Sequence, residues 1–364
     1  MDVHYARIRP TIIAAICASL TALSSCNFRS STDITFYESL ESVIAWRHAG
    51  GFNRWNSGGD CLCGASGAVL DVWKWQGDIV SKKAAITIPD RHWLSIAWTR
   101  DDNYLVLGWE NDSTSSAILL RNGTTNEVLR TFPEDEGWDI DVSHPSSNGK
   151  YVAVWACQDF SLPDFDFSAP RRLRLGRIGE ETKEIRWVEA QPGTVHAETV
   201  MNAVASDDGA YVAVAGWQHG AAVIDVSQGK CLWQKRPRSE ACFQDIAFSS
   251  DNKLVYAGGT EGCVYAMKVE DGEIVSRWWA TPSGKSEYGY RITTISVSAD
   301  GRFVAAGTGP AGHVHLFSTK DGERRILNHG GSTIVMTSFS PDSNRLATVA
   351  AGEIKIWKLP QEGD

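Results

Sequence analysis

Histidines, cysteines and carboxylates could do chemistry in this chain, but their spacing assembles little of it. His313 and His315 stand two apart in an apolar run, so a strand there would turn both to one face. Such a pair is more often structural than metal-binding. Four carboxylates, Glu110, Asp159, Glu198 and Glu261, come from separate stretches. They could hold a divalent cation only by converging, and nothing in their spacing brings them together. Neither a Gly-x-Ser-x-Gly elbow, nor a His-Glu-x-x-His pair, nor a Gly-rich phosphate loop occurs, and Gly58-Gly59 reads as a turn. The eight cysteines contain no Cys-x-x-Cys and no zinc-type spacing with histidine. No catalytic residue, metal site or cofactor is therefore expected.

One cysteine has a different context. Arg7 and Arg9 precede an apolar run, Thr11 to Leu23, that ends in Leu23-Ser24-Ser25-Cys26. The run is shorter than the ~20 residues a membrane-spanning helix needs, and it has the form of a secretory signal. Its end resembles the bacterial lipobox. That resemblance implies cleavage after residue 25, acylation of Cys26 and a polar tether over 26–40. Two or three acyl chains hold a protein stably on a membrane. Asn27, in place of an Asp, favours the outer membrane of a bacterial envelope or its periplasmic face. Outside the cytoplasm a disulfide is permitted, and Cys231 with Cys242 is the candidate pair. The plainer expectation is buried thiols acting as small hydrophobes.

The net charge is -9, spread along the chain without a basic block. That argues against nucleic acid as a partner and against a polybasic grip on lipid.

The elements that must carry these residues are set by an internal repeat. A polar turn with Asp, Asn or Gly, followed by a strand running into small residues, recurs seven times. The units begin at Trp55, Trp98, Ser143, Ala205, Ser249, Ser298 and Ser340. The period is about 44 residues, in the range of four-stranded propeller blades. Each unit continues with a third strand, such as Val223-Ile224-Asp225-Val226 or Val314-His315-Leu316-Phe317, and then a turn that often ends in Gly. A fourth strand such as Ile274-Val275-Ser276-Arg277-Trp278 closes the unit. Small residues in the second strands, such as Ala213, Ala305 and Gly307, would let sheets crowd. Trp187, Trp233 and Trp278 would fill the wider gaps outside.

This pattern resembles the WD-repeat propeller, in a divergent bacterial form. The resemblance covers roughly residues 42 to 359. It implies an all-β, seven-bladed β-propeller over 41–364, with four antiparallel strands per blade. The family's Gly-His and Trp-Asp signatures are not found; only Trp73-Lys74 and Trp357-Lys358 keep the Trp. The family's Asp-His-Ser-Trp hydrogen-bond network is therefore not assumed. The seventh unit supplies three strands, so a strand from before the first unit should complete it. Ser42-Val43-Ile44-Ala45-Trp46 is the expected clasp, with Ile34-Thr35-Phe36-Tyr37 as the alternative.

In that family the fourth-to-first and second-to-third strand loops share one face. The longest loops fall there: 158–170, 191–200 and 281–290, with a shorter one carrying Glu134, Asp135, Glu136 and Trp138. Acidic and aromatic residues on them make a candidate docking surface: Trp138, Asp159, Phe160, Asp164, Phe165, Phe167, His196, Tyr288 and Tyr290. The alternative is that the longest loop simply packs over the third blade. The expected function is a membrane-anchored interaction scaffold for a protein or peptide partner. The alternatives are a lactonase-like or quinoprotein-like propeller enzyme with a site at the central channel, or an envelope assembly factor.

Overall fold

The computed structural model describes residues 35–41, the strands and some turns between 53 and 189, and 200–359 apart from 217–219, 237–241, 282–289 and 351–352. All its regular structure is β, in seven four-stranded antiparallel sheets. An isolated strand, β1 (Thr35–Glu41), comes first. The first sheet is β2 (Asn53–Trp55), β3 (Cys61–Ser66), β4 (Val69–Gln76) and β5 (Ile79–Thr87). The second is β6 (Arg91–Trp98), β7 (Tyr104–Glu110), β8 (Ser116–Arg121) and β9 (Val128–Phe132). The third is β10 (Trp138–Pro145), β11 (Tyr151–Gln158), β12 (Arg172–Ile178) and β13 (Ile185–Glu189). The fourth is β14 (Val200–Ala205), β15 (Tyr211–Gly216), β16 (Gly220–Asp225) and β17 (Lys230–Lys235). The fifth is β18 (Phe243–Phe248), β19 (Leu254–Gly259), β20 (Cys263–Lys268) and β21 (Ile274–Trp279). The sixth is β22 (Ile292–Val297), β23 (Phe303–Thr308), β24 (His313–Ser318) and β25 (Arg324–Asn328). The seventh joins β26 (Ile334–Phe339), β27 (Arg345–Ala350) and β28 (Glu353–Lys358) to β1, in the order β1-β28-β27-β26.

The clasp is thus Thr35–Glu41, not Ser42–Trp46, which lies outside the described residues. Thr35 pairs with Lys358 and Glu41 with Glu353. The sheet begins inside 26–40, the stretch expected to be tether. The offset used to place the clasp assumed a short run into the first sheet, but the connection occupies 42–52. A Thr-Phe-Tyr run is at home on a pleated edge, and it protects the exposed backbone of β28.

Neighbouring sheets pack in chain order through their first strands, β6 on β2, β10 on β6, and so on to β26 on β22; β2 in turn lies against β26. The first and last sheets share a buried cluster of Trp55, Leu62 and Trp73 with Met336, Val349 and Ile356. Trp55 Nε1 also donates to Ser338 O at 3.1 Å. Each first strand from β6 to β26 carries one bulge at the same place in its pairing with the second strand.

Glycine sets the approach of one sheet to the next. A Cβ at Gly307 would lie 2.6 Å from Ile334, and at Gly258 2.9 Å from Ile292, both on the first strand of the following sheet. Farther out, tryptophans fill the space. Trp233, on β17, is buried with Phe243, Tyr265 and Met267 of the fifth sheet and donates to Val269 O at 2.7 Å. Its ring covers Gly272, where an added Cβ would sit 2.6 Å away. Trp278 stands in the same relation to Gly322 of the sixth sheet.

The recurring polar turn is a hydrogen-bonded device. Ser206, Ser249, Ser298 and Ser340 each donate a hydroxyl proton to the Asp two residues on and accept the N–H five residues on. The Asp also accepts a backbone N–H two residues later. Asn56 holds the first sheet's turn, accepting from Asp60 N and Cys61 N. The Ser249 hydroxyl bond to Asp251 holds that carboxyl below its ordinary range.

Two outcomes follow from this packing. Gly272 has φ +69, so Gly272→Val adds backbone strain to the clash with Trp233 and should lower stability by about 3 kcal/mol in urea unfolding. Ser249→Ala should raise the Asp251 pKa in a carboxyl NMR titration. Because the folded-state pKa is depressed, this carboxylate stabilises the fold above its unfolded pKa. The contribution disappears as pH falls through the folded value, and the variant should lose less on acidification.

Candidate functional site

Two families of turns separate to opposite edges of the sheets. Second-to-third strand turns meet the fourth-to-first connections: Ala280 N donates to Gly262 O, Gly309 N to Arg291 O, His329 N to Gly312 O and Thr260 N to Cys242 O. First-to-second turns meet third-to-fourth turns: Val226 N donates to Ala210 O, Val269 N to Lys253 O and Thr319 N to Arg302 O. The connections 159–171, 190–199 and 280–291 all belong to the first edge. The opposite edge carries the short Ser-Asp turns.

Between the edges, the first strands are stitched to one another by polar side chains. Asn202, Asp245 and Thr294 each follow the bulge of their strand. Asn202 Nδ2 donates to Asp245 Oδ1, and Asp245 Oδ2 accepts Ile295 N at 2.5 Å, so one carboxylate joins three sheets. Thr294 Oγ1 accepts Thr337 N at 3.4 Å, and Ser296 Oγ donates to Thr337 Oγ1 at 2.9 Å. Thr293 Oγ1 donates to Ile334 O at 2.5 Å. These residues were not singled out from sequence. The signal was there: a polar residue at the same step of successive strands, at about the repeat spacing.

The seventh sheet holds a second arrangement that sequence reading passed over. Trp357 Nε1 donates to Thr348 Oγ1 at 2.9 Å, and the ring of buried His329 lies 3.3 Å from Thr348 O.

The expected site residues divide as follows. Tyr290 is half-buried just before β22, its ring edge-on to His315 at 6.4 Å between centroids. Trp138 is not in a loop: it opens β10, its backbone paired with Gln158. Cys26, Asp159, Phe160, Asp164, Phe165, Phe167, His196 and Tyr288 lie outside the described residues. Of the carboxylates weighed for a cation, Glu261 is buried and accepts the Tyr265 hydroxyl at 2.5 Å. Glu110 ends β7, paired with Arg91. Asp159 and Glu198 are outside the described residues. Among the described residues no three His, Cys, Asp or Glu side chains form a metal-sized group. The candidate pair Cys231 and Cys242 is not bridged. Burial pushes the Cys231 and Cys242 thiols up, away from the reactive thiolate.

No protein-family model matches the sequence, and no curated protein matches it. Among solved structures, the chain is similar to one in the crystal structure of a mitotic checkpoint complex, with a TM-score of 0.68 and 15% identity. The match covers 94% of this chain and 97% of that one. At that identity the likeness speaks to fold alone: an all-β, propeller-like repeat array.

The stitching carboxylate can be tested directly. Asp245→Ala orphans the Ile295 N–H and the Asn202 amide together, and should cost about 3 kcal/mol in denaturant unfolding. Asp245→Asn, which keeps an acceptor, should cost less.

Proposed function

We propose that this chain is a non-catalytic interaction scaffold built as a closed seven-bladed propeller. Acylated Cys26 anchors it to a bacterial envelope membrane, and its loop-rich face receives a protein or peptide partner. The observation that carries this reading is the confinement of the long connections, 42–52, 159–171, 190–199 and 280–291, to one edge of the sheets. Loops on a rigid scaffold are where binding residues concentrate. The first sheet's packing on the last supports closure of the ring. The similar solved chain sits in a multiprotein complex by its printed title, in keeping with a scaffold role.

Within this reading, Phe160, Phe165 and Phe167 with Asp159 and Asp164 form one contact region, and His196, Tyr288 and Tyr290 a second beside it. Trp138 lies at the base of the first. Aromatic anchors ringed by acids suit a partner segment carrying apolar side chains and basic charge.

Replacing 158–170 by a short Gly-Ser turn should abolish recovery of the partner from envelope extracts while leaving the unfolding midpoint nearly unchanged. Undiminished recovery would remove that loop as the docking site. Cys26→Ser should move the protein from the membrane to the soluble fraction.

A further inference from the structure

His315 sits at the middle of β24 with its side chain fully buried, and neither ring nitrogen has a hydrogen-bond partner. An imidazole always carries at least one N–H, so the fold hides an unsatisfied polar group inside a junction between sheets. The ring is one step of an aromatic ladder. Tyr256 of the fifth sheet stacks on Trp278, Trp278 stacks on Phe317 of the sixth, and Phe317 stacks on His315. The centroid separations are 5.7, 5.7 and 6.2 Å. Tyr290 and His313 meet the His315 ring edge-on, at 6.4 and 6.1 Å.

The charged and titratable neighbours make a proton unwelcome there. Arg324, on β25, spans the junction, its Nη1 donating to the carbonyls of Trp279, Ala280 and Thr281 at 2.9, 2.9 and 3.1 Å. His313 is on the same strand, and Tyr290 closes the side toward β22. Arg291 packs over Gly309 in the turn leading into β24. Directly across the sheet, Ala306 of β23 and Ile326 of β25 bring no charge. Burial first, then the Arg324 charge and His313, depress the His315 pKa to about 3.

We propose that His315 is an acid-sensitive lock between the fifth and sixth sheets, closed while its ring is neutral and opened when the ring takes up a proton. Protonation would set an imidazolium beside the Arg324 guanidinium in an apolar stack. The charge is relieved by parting Phe317 from Trp278 and letting water reach the ring. The event needs no bond change, only transfer of a proton from solvent.

The sign follows from linkage. The folded state binds this proton far less well than the unfolded chain. Stability is therefore complete above the ordinary histidine pKa and falls as pH drops from about 6.5 toward 3. The test is urea unfolding of the full chain at pH 7.5 to 4, with His315→Gln and His313→Gln. In the wild type the ring should contribute about a tenfold loss of the folding constant per pH unit below pH 6. His315→Gln should show a slope shallower by about one proton, and His313→Gln a smaller change. Hydrogen exchange at low pH should rise first in β21 and β24. Equal slopes in wild type and His315→Gln would overturn the proposal. Should the variant not fold, ring NMR of histidines in the wild type decides. Absence of His315 titration above pH 4.5 supports the lock, and ordinary titration near 6.5 sinks it.

Discussion

The fourth, fifth and sixth sheets are apolar on both faces, and that is the constraint everything else obeys. The second and third strands of the fourth, fifth and sixth sheets are buried along nearly their whole length. A sheet that is apolar on both sides cannot stand alone or end an open stack without exposing one of them. The first sheet therefore lies on the last, Trp55 and Trp73 against Met336 and Val349. The last sheet, with three strands of its own, must also be finished. β1 does that from the other end of the domain, and its ladder of six pairs with β28 ties the two ends of the array together.

Packing one sheet on the next creates opposite needs at the line of first strands and at the outer edge. Near the line, space is short, and glycine or alanine of one second strand lets the next first strand approach. Far from it, space is in excess, and Trp233 and Trp278 fill it. The crowded inner strands from β6 to β26 also bend, with one bulge each. A bulge frees ladder groups, and the residue just after it turns sideways to the next sheet. Asp245 uses this position to hold Asn202 and Ile295 at once. The polar stitching is thus a consequence of the curvature and not an addition to it.

The fold was legible in the sequence because the Ser-Asp turn repeats with its chemistry intact. Ser206, Ser249, Ser298 and Ser340 mark the same hydrogen-bonded corner in the last four sheets, and Asn56 holds its counterpart in the first. The clasp was legible only as a choice between two runs. Propensity cannot say how far the chain travels before entering the first sheet, and the span 42–52 settled it. Trp138 misled for a related reason: the strand boundary beside an acidic stretch depends on pairing with Gln158, which local sequence does not encode. His329 was missed because its role is defined by Thr348 and Trp357 across the sheet, not by the glycine next to it. Glu261 is held by a partner, Tyr265, that only the hairpin brings near.

The two edges of the sheets carry different burdens, and this explains why elaboration is confined to one. On the edge with the Ser-Asp turns, corner is tied to corner. Asp207 N donates to Asn252 Oδ1 of the next sheet, Asp300 N to Ser343 Oγ, and Arg345 Nη1 to Gly59 O. A long insertion in any one of these turns would break links on both sides. On the other edge the backbone bonds link each second-to-third turn mainly to the connection entering or leaving its own sheet. A connection there can lengthen while its end residues keep their bonds, at a loop-closure cost that grows only slowly with length. The asymmetry is mechanical before it is functional: the sheets leave one edge free to vary, and the long connections, 42–52, 159–171, 190–199 and 280–291, leave from that edge.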